Sequence, residues 1–376
     1  MSELHELLAD MIRVPSVNPC GCEPSAPQEG EARMTRFVAD WLGARSIAHE
    51  VQPALPGRDN VIAKVPGQGG PALCFEAHMD TVAVGEMVIP PFEPRVEDGR
   101  IYGRGACDDK GSLAAMMMAL ARVAQGPPPP RTIILAAVVD EEYLHSGARA
   151  YLRDAGPIAG AVVGEPTSLR VVIAHKGALR TRITTRGVSA HSSNPEAGVN
   201  AIYRMAHAVV ALEQLAAELR DREPHPLVGG PTLSVGTIHG GMAVNIVPEL
   251  CQAMVDRRLI PGEMPDEALA EIAAALEGIL AEGDDLTPTL KDWAVETTED
   301  EEIVDLTRAA VREVTGDDEP MGVAYCTDGC DFVEAGVPLV VLGPGEIAQA
   351  HTAEEWVELS QVDTAAEIYE RIMRSA

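Results

Sequence analysis

A continuous apolar stretch at residues 131–139, Arg-Thr-Ile-Ile-Leu-Ala-Ala-Val-Val, constrains the fold more than any other part of the chain. Its β-branched composition is typical of a central strand that is covered on both faces. Similar apolar runs end at Ala77 and Val163, and predicted helices lie between the runs. Strands that alternate with helices predict an α/β layered domain, in which ligands gather at the carboxyl ends of the strands.

Hydrophobic periodicity predicts the other elements of this α/β domain. Helices are predicted at residues 4–12, 29–44, 112–120, 147–153 and 303–314. Further strands are predicted at residues 47–51, 60–65, 72–77, 100–102, 159–163 and 337–342.

The pattern changes after Lys176, where residues 178–185 alternate as a half-exposed strand. A long helix follows at 200–219, and its apolar side is predicted to consist of Ile202, Met205, Ala206, Val209, Val210 and Leu212. Strands at 232–238 and 250–259, a helix at 266–281 and a strand at 286–295 complete a ferredoxin-like βαββαβ order. We therefore predict a catalytic domain in two segments, 1–177 and 291–376, and an inserted domain at 178–290.

Composition excludes several classes of function. The formal net charge of −29 argues against binding to nucleic acid or to an anionic membrane. The seven cysteines form no CxxC pair, which favours a reducing compartment, although Cys20/Cys22 and Cys326/Cys330 leave metal binding or a cross-link open. The first eleven residues do not resemble a signal peptide, and no apolar run is long enough to span a bilayer. We expect a cytoplasmic protein.

Two adjacent carboxylates, Asp108 and Asp109, lie in a glycine-rich loop at residues 103–111, just before a predicted buried helix. A simple explanation is helix capping, because aspartate is favoured at a helix N-terminus. Capping does not explain the other acid and imidazole clusters that follow apolar runs, which are His78-x-Asp80, Asp140-Glu141-Glu142, Glu165 and His351.

Histidine and carboxylates without thiolates suit a zinc, cobalt or manganese site. His78 can bind a metal while Asp80 orients its other ring nitrogen; the alternative is a hydrogen-bonded core histidine. Of Glu141 and Glu142, one can bind metal while its neighbour faces a water molecule; the alternative is a solvated acidic loop. We interpret His145, in the same loop, as a surface residue.

Five motifs of the chain resemble those of the M20 metallohydrolases, a family of deacylases and peptidases, and they occur in the same order as in that family. The motifs are His78-x-Asp80, Gly103-Arg104-Gly105-Ala106-x-Asp108-x-Lys110-Gly111, Asp140-Glu141-Glu142, Glu165-Pro166-Thr167 and His351-Thr352. The resemblance implies a zinc-peptidase-like α/β catalytic domain with a mixed sheet, into which a ferredoxin-like lid domain for dimerisation is inserted.

The resemblance also assigns roles to individual residues. Asp108 would bridge two Zn²⁺ ions, for which Co²⁺ can substitute, and the peptide bond to Asp109 would be cis. His78 and Glu165 would complete one ion site, and Glu142 and His351 the other. Glu141 would be the general base that acts on a metal-activated water. His191 would reach the oxyanion of the partner subunit's site in a homodimer.

Substrate contacts follow from the same resemblance. Asn245 and Arg258 match positions that bind the substrate's carboxylate, a group that an arginine fork suits. The alternative for Arg258 is a strand arginine paired with Asp256 or with other acids of the inserted domain. Three further residues are predicted to line the acyl pocket, namely Thr327, Gly343 and Gly345.

The resemblance therefore predicts an amidohydrolase that cleaves an N-acyl amino acid, like acetylornithine deacetylase or succinyl-diaminopimelate desuccinylase. A carboxypeptidase or dipeptidase acting on a short peptide at the same centre is the alternative. Asp109 stands where many members of the family have methionine, a departure that also occurs in some carboxypeptidase-like members. A non-catalytic binding protein is a third hypothesis, and retention of Glu141 argues against it.

Overall fold

The computed structural model of the protein describes residues 2–375, so the outermost residues of the predicted catalytic segments, 1 and 376, lie outside the described residues. The chain forms two compact units. The first unit contains the chain up to Ile173, Thr297–Met321 and the chain from Thr327 onward, and the second contains Ala174–Glu296 and Gly322–Cys326. The domain boundaries at 177/178 and 290/291 stay predictions.

The α-helices of the described residues are α1 (Glu3–Arg13), α2 (Ala32–Ala44), α3 (Lys110–Ala124), α4 (Ser146–Asp154), α5 (Ala201–Arg220), α6 (Pro265–Ala275), α7 (Glu302–Thr315), α8 (Gly329–Glu334) and α9 (Leu359–Ser375). The strands are β1 (Ala48–Leu55), β2 (Arg58–Val65), β3 (Ala72–His78), β4 (Arg95–Glu97), β5 (Arg100–Tyr102), β6 (Ile133–Val138), β7 (Ile158–Val163), β8 (Val172–His175), β9 (Gly177–Arg186), β10 (Ala190–His191), β11 (Thr232–Gly240), β12 (Ile246–Val247), β13 (Leu250–Leu259), β14 (Asp285–Asp292), β15 (Val295–Glu296), β16 (Met321–Val323), β17 (Leu339–Val341) and β18 (Trp356–Glu358).

The main sheet of the first unit is mixed, as predicted. Its strands follow the order β1-β2-β6-β3-β7-β17. β6, β3, β7 and β17 run parallel, whereas β1 and β2 are antiparallel to their neighbours. The carboxyl ends of the four parallel strands therefore lie at the same edge of the sheet.

Helix α3 forms the centre of the core beside this sheet. Thirteen of its fifteen residues are buried, among them three consecutive methionines. It packs against β3, β6 and α9. Phe75 of β3 meets Tyr369 of α9 edge to face, with 6.0 Å between the ring centroids. Burying each large apolar side chain contributes about 1.5–3 kcal/mol, so this helix holds the loop before it firmly in place.

The second unit has the predicted βαββαβ order, in which β9, α5, β11, β13, α6 and β14 follow one another. Its sheet is antiparallel with the strand order β11-β13-β9-β14. The two helices pack against this sheet around a separate hydrophobic core. Strand β11 is at the edge of the sheet, and most of its residues are exposed.

Some sequence-based predictions of elements were wrong. The predicted helix at 266–281 ends at Ala275, and shortly after it Gly278 adopts a left-handed conformation with φ +74°. On α5, Met205 is buried, but Val210 is 64% exposed, so the buried side is rotated away from the predicted one. The second helix begins at Ala32 rather than 29. Helices α8 and α9 were not predicted.

Within residues 2–375, no helix combines the length and the apolar character that a membrane span requires.

Candidate active site

The residues of the candidate site follow the parallel strands of the first unit. His78 is the last residue of β3, and Glu165 follows the end of β7. Glu141 and Glu142 lie just beyond β6. Because these strand ends share one edge of the sheet, residues that are distant in sequence meet there.

His78, Asp108 and Glu165 form a first ligand group, in which all three residues are buried. One nitrogen or carboxylate oxygen from each lies within 4.8 Å of the others. His78 Nε2 is 2.9 Å from Asp108 Oδ1. The other ring nitrogen, Nδ1, lies 3.0 Å from the backbone carbonyl of Asp80 and 3.7 Å from its carboxylate. The backbone carbonyl of Asp80 is therefore closer to the His78 ring than the Asp80 carboxylate, which was predicted to orient it.

Asp108, Glu142 and His351 form a second ligand group that shares Asp108 with the first. His351 Nε2 lies 3.2 Å from both Asp108 Oδ2 and Glu142 Oε2. The side chain of His351 is 54% exposed, in contrast to 1% for His78. We call the first group the buried group and the second the accessible group.

The donor atoms of both groups fit a pair of divalent ions. Imidazole nitrogen with carboxylate oxygen, and no thiolate, is the donor set of zinc, cobalt and manganese sites. The carboxylate of Asp108 has one oxygen next to each histidine. A carboxylate placed in this way can bridge two ions, so the five residues fit the predicted pair.

Burial strongly perturbs the acids of this site. It raises the pKa of Glu141 well above its usual range, and the carboxylates of Asp328 and Glu142 add to this shift. Burial and the charge of Asp108 likewise raise the pKa of Glu165. Burial alone would raise the pKa of Asp108 too, but hydrogen bonds with His351 and His78 lower it below its usual range. Perturbed acids that converge at the edge of a sheet are typical of a catalytic centre.

Asp80 also holds the loop that carries the two glutamates. Its Oδ1 accepts a hydrogen bond from the backbone N–H of Glu141 at 3.2 Å, and its Oδ2 accepts one from Glu142 at 3.1 Å. The side-chain amide of Asn18 donates to Asp80 at 2.7 Å and to Asp140 at 3.2 Å. Sequence reasoning missed Asn18, whose only signal was its place in a proline-flanked loop.

Glu355 is a second residue that sequence reasoning missed. Its buried carboxylate accepts hydrogen bonds from the backbone N–H groups of Gly105, Cys107 and Asp108 at 2.9–3.1 Å. It also pairs with Arg104 at 2.7 Å. The glycine-rich loop therefore wraps around one carboxylate, which fixes the position of Asp108.

The peptide bond between Asp108 and Asp109 is cis, as the resemblance implied. Asp109 occupies the N-cap position of α3, but its side chain makes no capping hydrogen bond. Helix capping therefore does not explain this pair of aspartates. Burial, with the charges of Asp108 and Glu142, raises the pKa of Asp109 to about 8.

His145 was wrongly predicted to be a surface residue, since only 6% of it is exposed. Its Nε2 lies 3.9 Å from Glu141 Oε1, and its Nδ1 lies 3.6 Å from Asp328 Oδ1. Nδ1 is also 3.3 Å from the Sγ of Cys330. Residues around α8 cover the imidazole, and the local sequence of the acidic loop gave no sign of this contact.

His191, Asn245 and Arg258 belong to the second unit. His191 ends the short strand β10, its side chain is exposed, and its Nδ1 lies 2.7 Å from Ser193 Oγ. Asn245 is exposed too. Arg258 donates from Nε to Asp256 Oδ1 at 2.8 Å, so the structure contains the pairing that was given as the alternative for this arginine.

The residues predicted to line the acyl pocket belong to the first unit, and all three are buried. The N–H of Gly343 donates to Thr167 Oγ1 at 3.1 Å, and the N–H of Gly345 donates to Gln361 Oε1 at 2.7 Å. These two backbone donors are therefore used within the fold. Thr327 is fully buried beside α8.

A family model described as peptidase family M20/M25/M40 matches residues 74–375. The chain belongs to the M20 family. It is 32% identical over 385 residues to acetylornithine deacetylase of Proteus mirabilis (strain HI4320), an alignment that covers 98% of this chain and 96% of that protein. The predicted family and enzyme class are thereby confirmed: this M20 protein is a hydrolase of amide or peptide bonds.

Solved M20 structures share its fold. The metallo-carboxypeptidase Sso-CP2 of Sulfolobus solfataricus superposes with a TM-score of 0.82 at 19% identity, covering 100% of this chain and 99% of that chain. The YXEP protein of Bacillus subtilis, described as a dinuclear metal-binding peptidase, superposes with a TM-score of 0.71 at 15% identity, covering 98% and 96%. At these identities the likeness establishes the α/β fold of the M20 family.

Proposed function

We propose that this protein is a di-zinc amidohydrolase that cleaves an N-acyl amino acid into a carboxylate and a free amino acid. The observation that carries the proposal is the pair of ligand groups that share Asp108, with the perturbed acid Glu141 between β6 and His145. The identity to an acetylornithine deacetylase over nearly the whole chain supports the substrate class.

The buried group would hold one ion through His78 and Glu165, the accessible group would hold the other through Glu142 and His351, and Asp108 would bridge them. Two ions held close together supply, when bound, an activated water at neutral pH and a clamp for the developing charges. The dinuclear description of the related YXEP protein supports this number of ions.

Glu141 acts as the general base. Burial raises the pKa of Glu141 above its usual range. A general base works best when its pKa is raised towards the working pH, because it must both accept and release a proton. It takes a proton from the attacking water and delivers it to the nitrogen of the leaving amine. Asp80 keeps Glu141 in place through the backbone hydrogen bond to its N–H, and orients His78 through its own carbonyl.

His191 donates a hydrogen bond to the carbonyl oxygen of the scissile amide as negative charge develops on it. In this proposal, His191 comes from the partner subunit of a homodimer. Edge strand β11 and helix α5 supply an apolar surface for pairing about a two-fold axis, with Ile238 49% exposed and Tyr203 70% exposed. A second unit that pairs in this way serves as the dimerisation lid.

Mixed dimers of His191→Ala and Glu141→Gln chains test this arrangement. Each such dimer contains one centre with an intact Glu141 and a partner-supplied His191, so activity should return when the two inactive variants are combined. Verified mixed dimers that stay inactive would place His191 in the site of its own subunit or outside catalysis.

Arg258 and Asn245 bind the carboxylate of the substrate in this proposal, and Thr327, Gly343 and Gly345 border the acyl group. Arg258 would exchange its contact with Asp256 for the ligand, an exchange that keeps the guanidinium paired with a carboxylate. No disulfide joins any of the cysteines within residues 2–375, which fits a reducing compartment, and we propose the cytoplasm.

A metallo-carboxypeptidase or dipeptidase is the second candidate function, favoured by the fold that this chain shares with Sso-CP2. A panel of N-acetyl and N-succinyl amino acids compared with dipeptides, each assayed with added Zn²⁺ or Co²⁺, separates the two. We expect the highest kcat/KM on an N-acyl amino acid. A preference for dipeptides would overturn the deacylase proposal in favour of the peptidase.

A further inference from the structure

Asp328, just before α8, has a buried carboxylate without a hydrogen bond. It is 1% exposed, and neither of its oxygens has a hydrogen-bond partner among residues 2–375. Neighbouring Asp331 differs, because its Oδ1 accepts from Arg149 Nε at 2.7 Å. A buried carboxylate of this kind is costly unless it is protonated or meets a cation. Burial, opposed by His145 and assisted by Asp331, raises the pKa of Asp328 to about 7.

Two further residues that can bind a metal, His145 and Glu141, lie near this carboxylate. His145 Nδ1 is 3.6 Å from Asp328 Oδ1, and His145 Nε2 is 3.9 Å from Glu141 Oε1. One nitrogen of the imidazole and one oxygen of each carboxylate lie within 4.8 Å of one another. The N–H of His145 donates to the carbonyl of Asp140 at 2.8 Å, which fixes the backbone that carries the imidazole.

These three residues are outside the two groups that share Asp108, and their chemistry is that of a zinc site. Zinc bound by one histidine and two carboxylates at about 2.0–2.2 Å places neighbouring ligand atoms about 3.3 Å apart in a tetrahedron. Ligand atoms within 4.8 Å of one another reach that spacing when each moves by about an ångström or less. A water molecule would complete the coordination.

We propose that Glu141, His145 and Asp328 form a third divalent-cation site, which binds zinc more weakly than the other two sites and inhibits the enzyme when it is filled. Weaker binding follows because the three ligands must move together and because two cations are already close by. The inhibition rests on the proposed function, since a Glu141 that is bound to a cation cannot accept a proton.

The proposal predicts two phases as zinc is added to the enzyme. Activity should rise until two ions are bound per chain and then fall as a third ion binds. The fall should be about a hundredfold or more at saturation, since it removes a general base whose contribution is about 10²–10⁴-fold.

The direct test counts bound zinc on the full chain after equilibrium dialysis at limiting and at excess free Zn²⁺, by elemental analysis. Wild-type protein should hold two ions at limiting zinc and three at excess zinc. His145→Gln and the isosteric Asp328→Asn should stay at two. Asp331→Asn is the comparison variant, because Asp331 Oδ1 is paired with Arg149 while its Oδ2 lies 3.4 Å from His145 Nδ1. This variant should still reach three ions, since Asp328 and not Asp331 is the proposed ligand.

The rate provides the second readout, taken for each variant as the ratio of activity at excess zinc to activity at two equivalents. This ratio should be far below one for wild type and for Asp331→Asn, and near one for His145→Gln and Asp328→Asn. Circular dichroism verifies that each variant is folded. If only one of His145→Gln and Asp328→Asn folds, that variant alone is sufficient for the test.

A wild-type chain that stops at two ions, or variants that bind a third ion as well as wild type does, would overturn the third site. Failure of the proposed function would look different, because wild type would then hold fewer than two ions at limiting zinc. In that case the difference between wild type and His145→Gln at excess zinc still tests the third site.

Discussion

The buried and accessible ligand groups share Asp108 but are built differently. His78 and Glu165 extend from the ends of neighbouring parallel strands, so the sheet fixes their spacing. Glu142 and His351 lie on loops, and the backbone of His351 has φ +61°. The side chain of His351 is half exposed whereas that of His78 is buried. The difference indicates that the buried group belongs to the core of the fold and that the accessible group reaches its surface.

The largest effect is expected from Asp108→Ala, which removes the residue that both groups share. Both ions should be lost, and activity should fall by more than the roughly 10–100-fold that changes around a metal centre's outer shell cost. Zinc analysis and the deacylase assay measure the two effects. Asp109→Asn is the matched control and should retain both ions, because Asp109 belongs to neither ligand group. Retention of two ions by Asp108→Ala would refute the shared ligand.

Glu141→Gln and Glu142→Gln should separate catalysis from metal binding. Glu141→Gln preserves size but cannot accept a proton, so turnover should fall by about 10²–10⁴-fold while both ions stay bound. Glu142→Gln should lose the ion of the accessible group instead. If Glu141→Gln lost an ion and Glu142→Gln kept both, the roles of the two glutamates would be the reverse of those proposed.

The two histidines should differ in their effect on stability. In chelated protein, His78→Ala leaves a cavity in the core and should cost about 2–5 kcal/mol of unfolding free energy. His351→Ala leaves no core cavity, because its side chain is half exposed, but it removes a partner of Asp108 and Glu142 and should cost about 0.5–1.5 kcal/mol. Urea unfolding measures both values. Equal losses would mean that the contrast between a core site and a surface site is wrong.

A further test uses Asn18, whose side chain contacts neither the buried nor the accessible group but holds the loop beside them. Asn18→Ala removes the donors to Asp80 and Asp140 and should cost about 1–3 kcal/mol, the range for a buried polar group left unpaired. Asn18→Asp should cost more, because it adds a third carboxylate beside those two. Denaturant unfolding ranks the variants, and an Asn18→Asp protein as stable as wild type would contradict the account.

The sequence was sufficient to predict the parallel strands and the acids at their ends, because β-branched runs and the residues that follow them are local signals. It could not predict the burial of His145, which depends on Cys330, 185 residues further along the chain. The same holds for Glu355, whose bond to the N–H of Asp108 spans 247 residues. Contacts of this length are set by packing of the whole first unit, and no periodicity reports them.

The end of α6 and the buried face of α5 were mispredicted for a different reason. Apolar residues continue past Ala275 as far as Ala281, and only the left-handed Gly278 marks that the chain has turned. Val210 and Ile202 have the apolar character of core residues, yet both are exposed beside the edge of the second unit. Apolar residues on a surface that pairs with another subunit would look like core residues in the sequence.

The central claim is that activity depends on two ions held around Asp108. The most direct measurement is elemental analysis of the active enzyme, followed by chelation and by stepwise return of Zn²⁺ with assay on an N-acetyl amino acid. We predict two equivalents of metal per chain in the active enzyme, complete loss of activity on chelation, and recovery that is maximal at two equivalents. Full activity in protein that contains no transition metal would contradict the account.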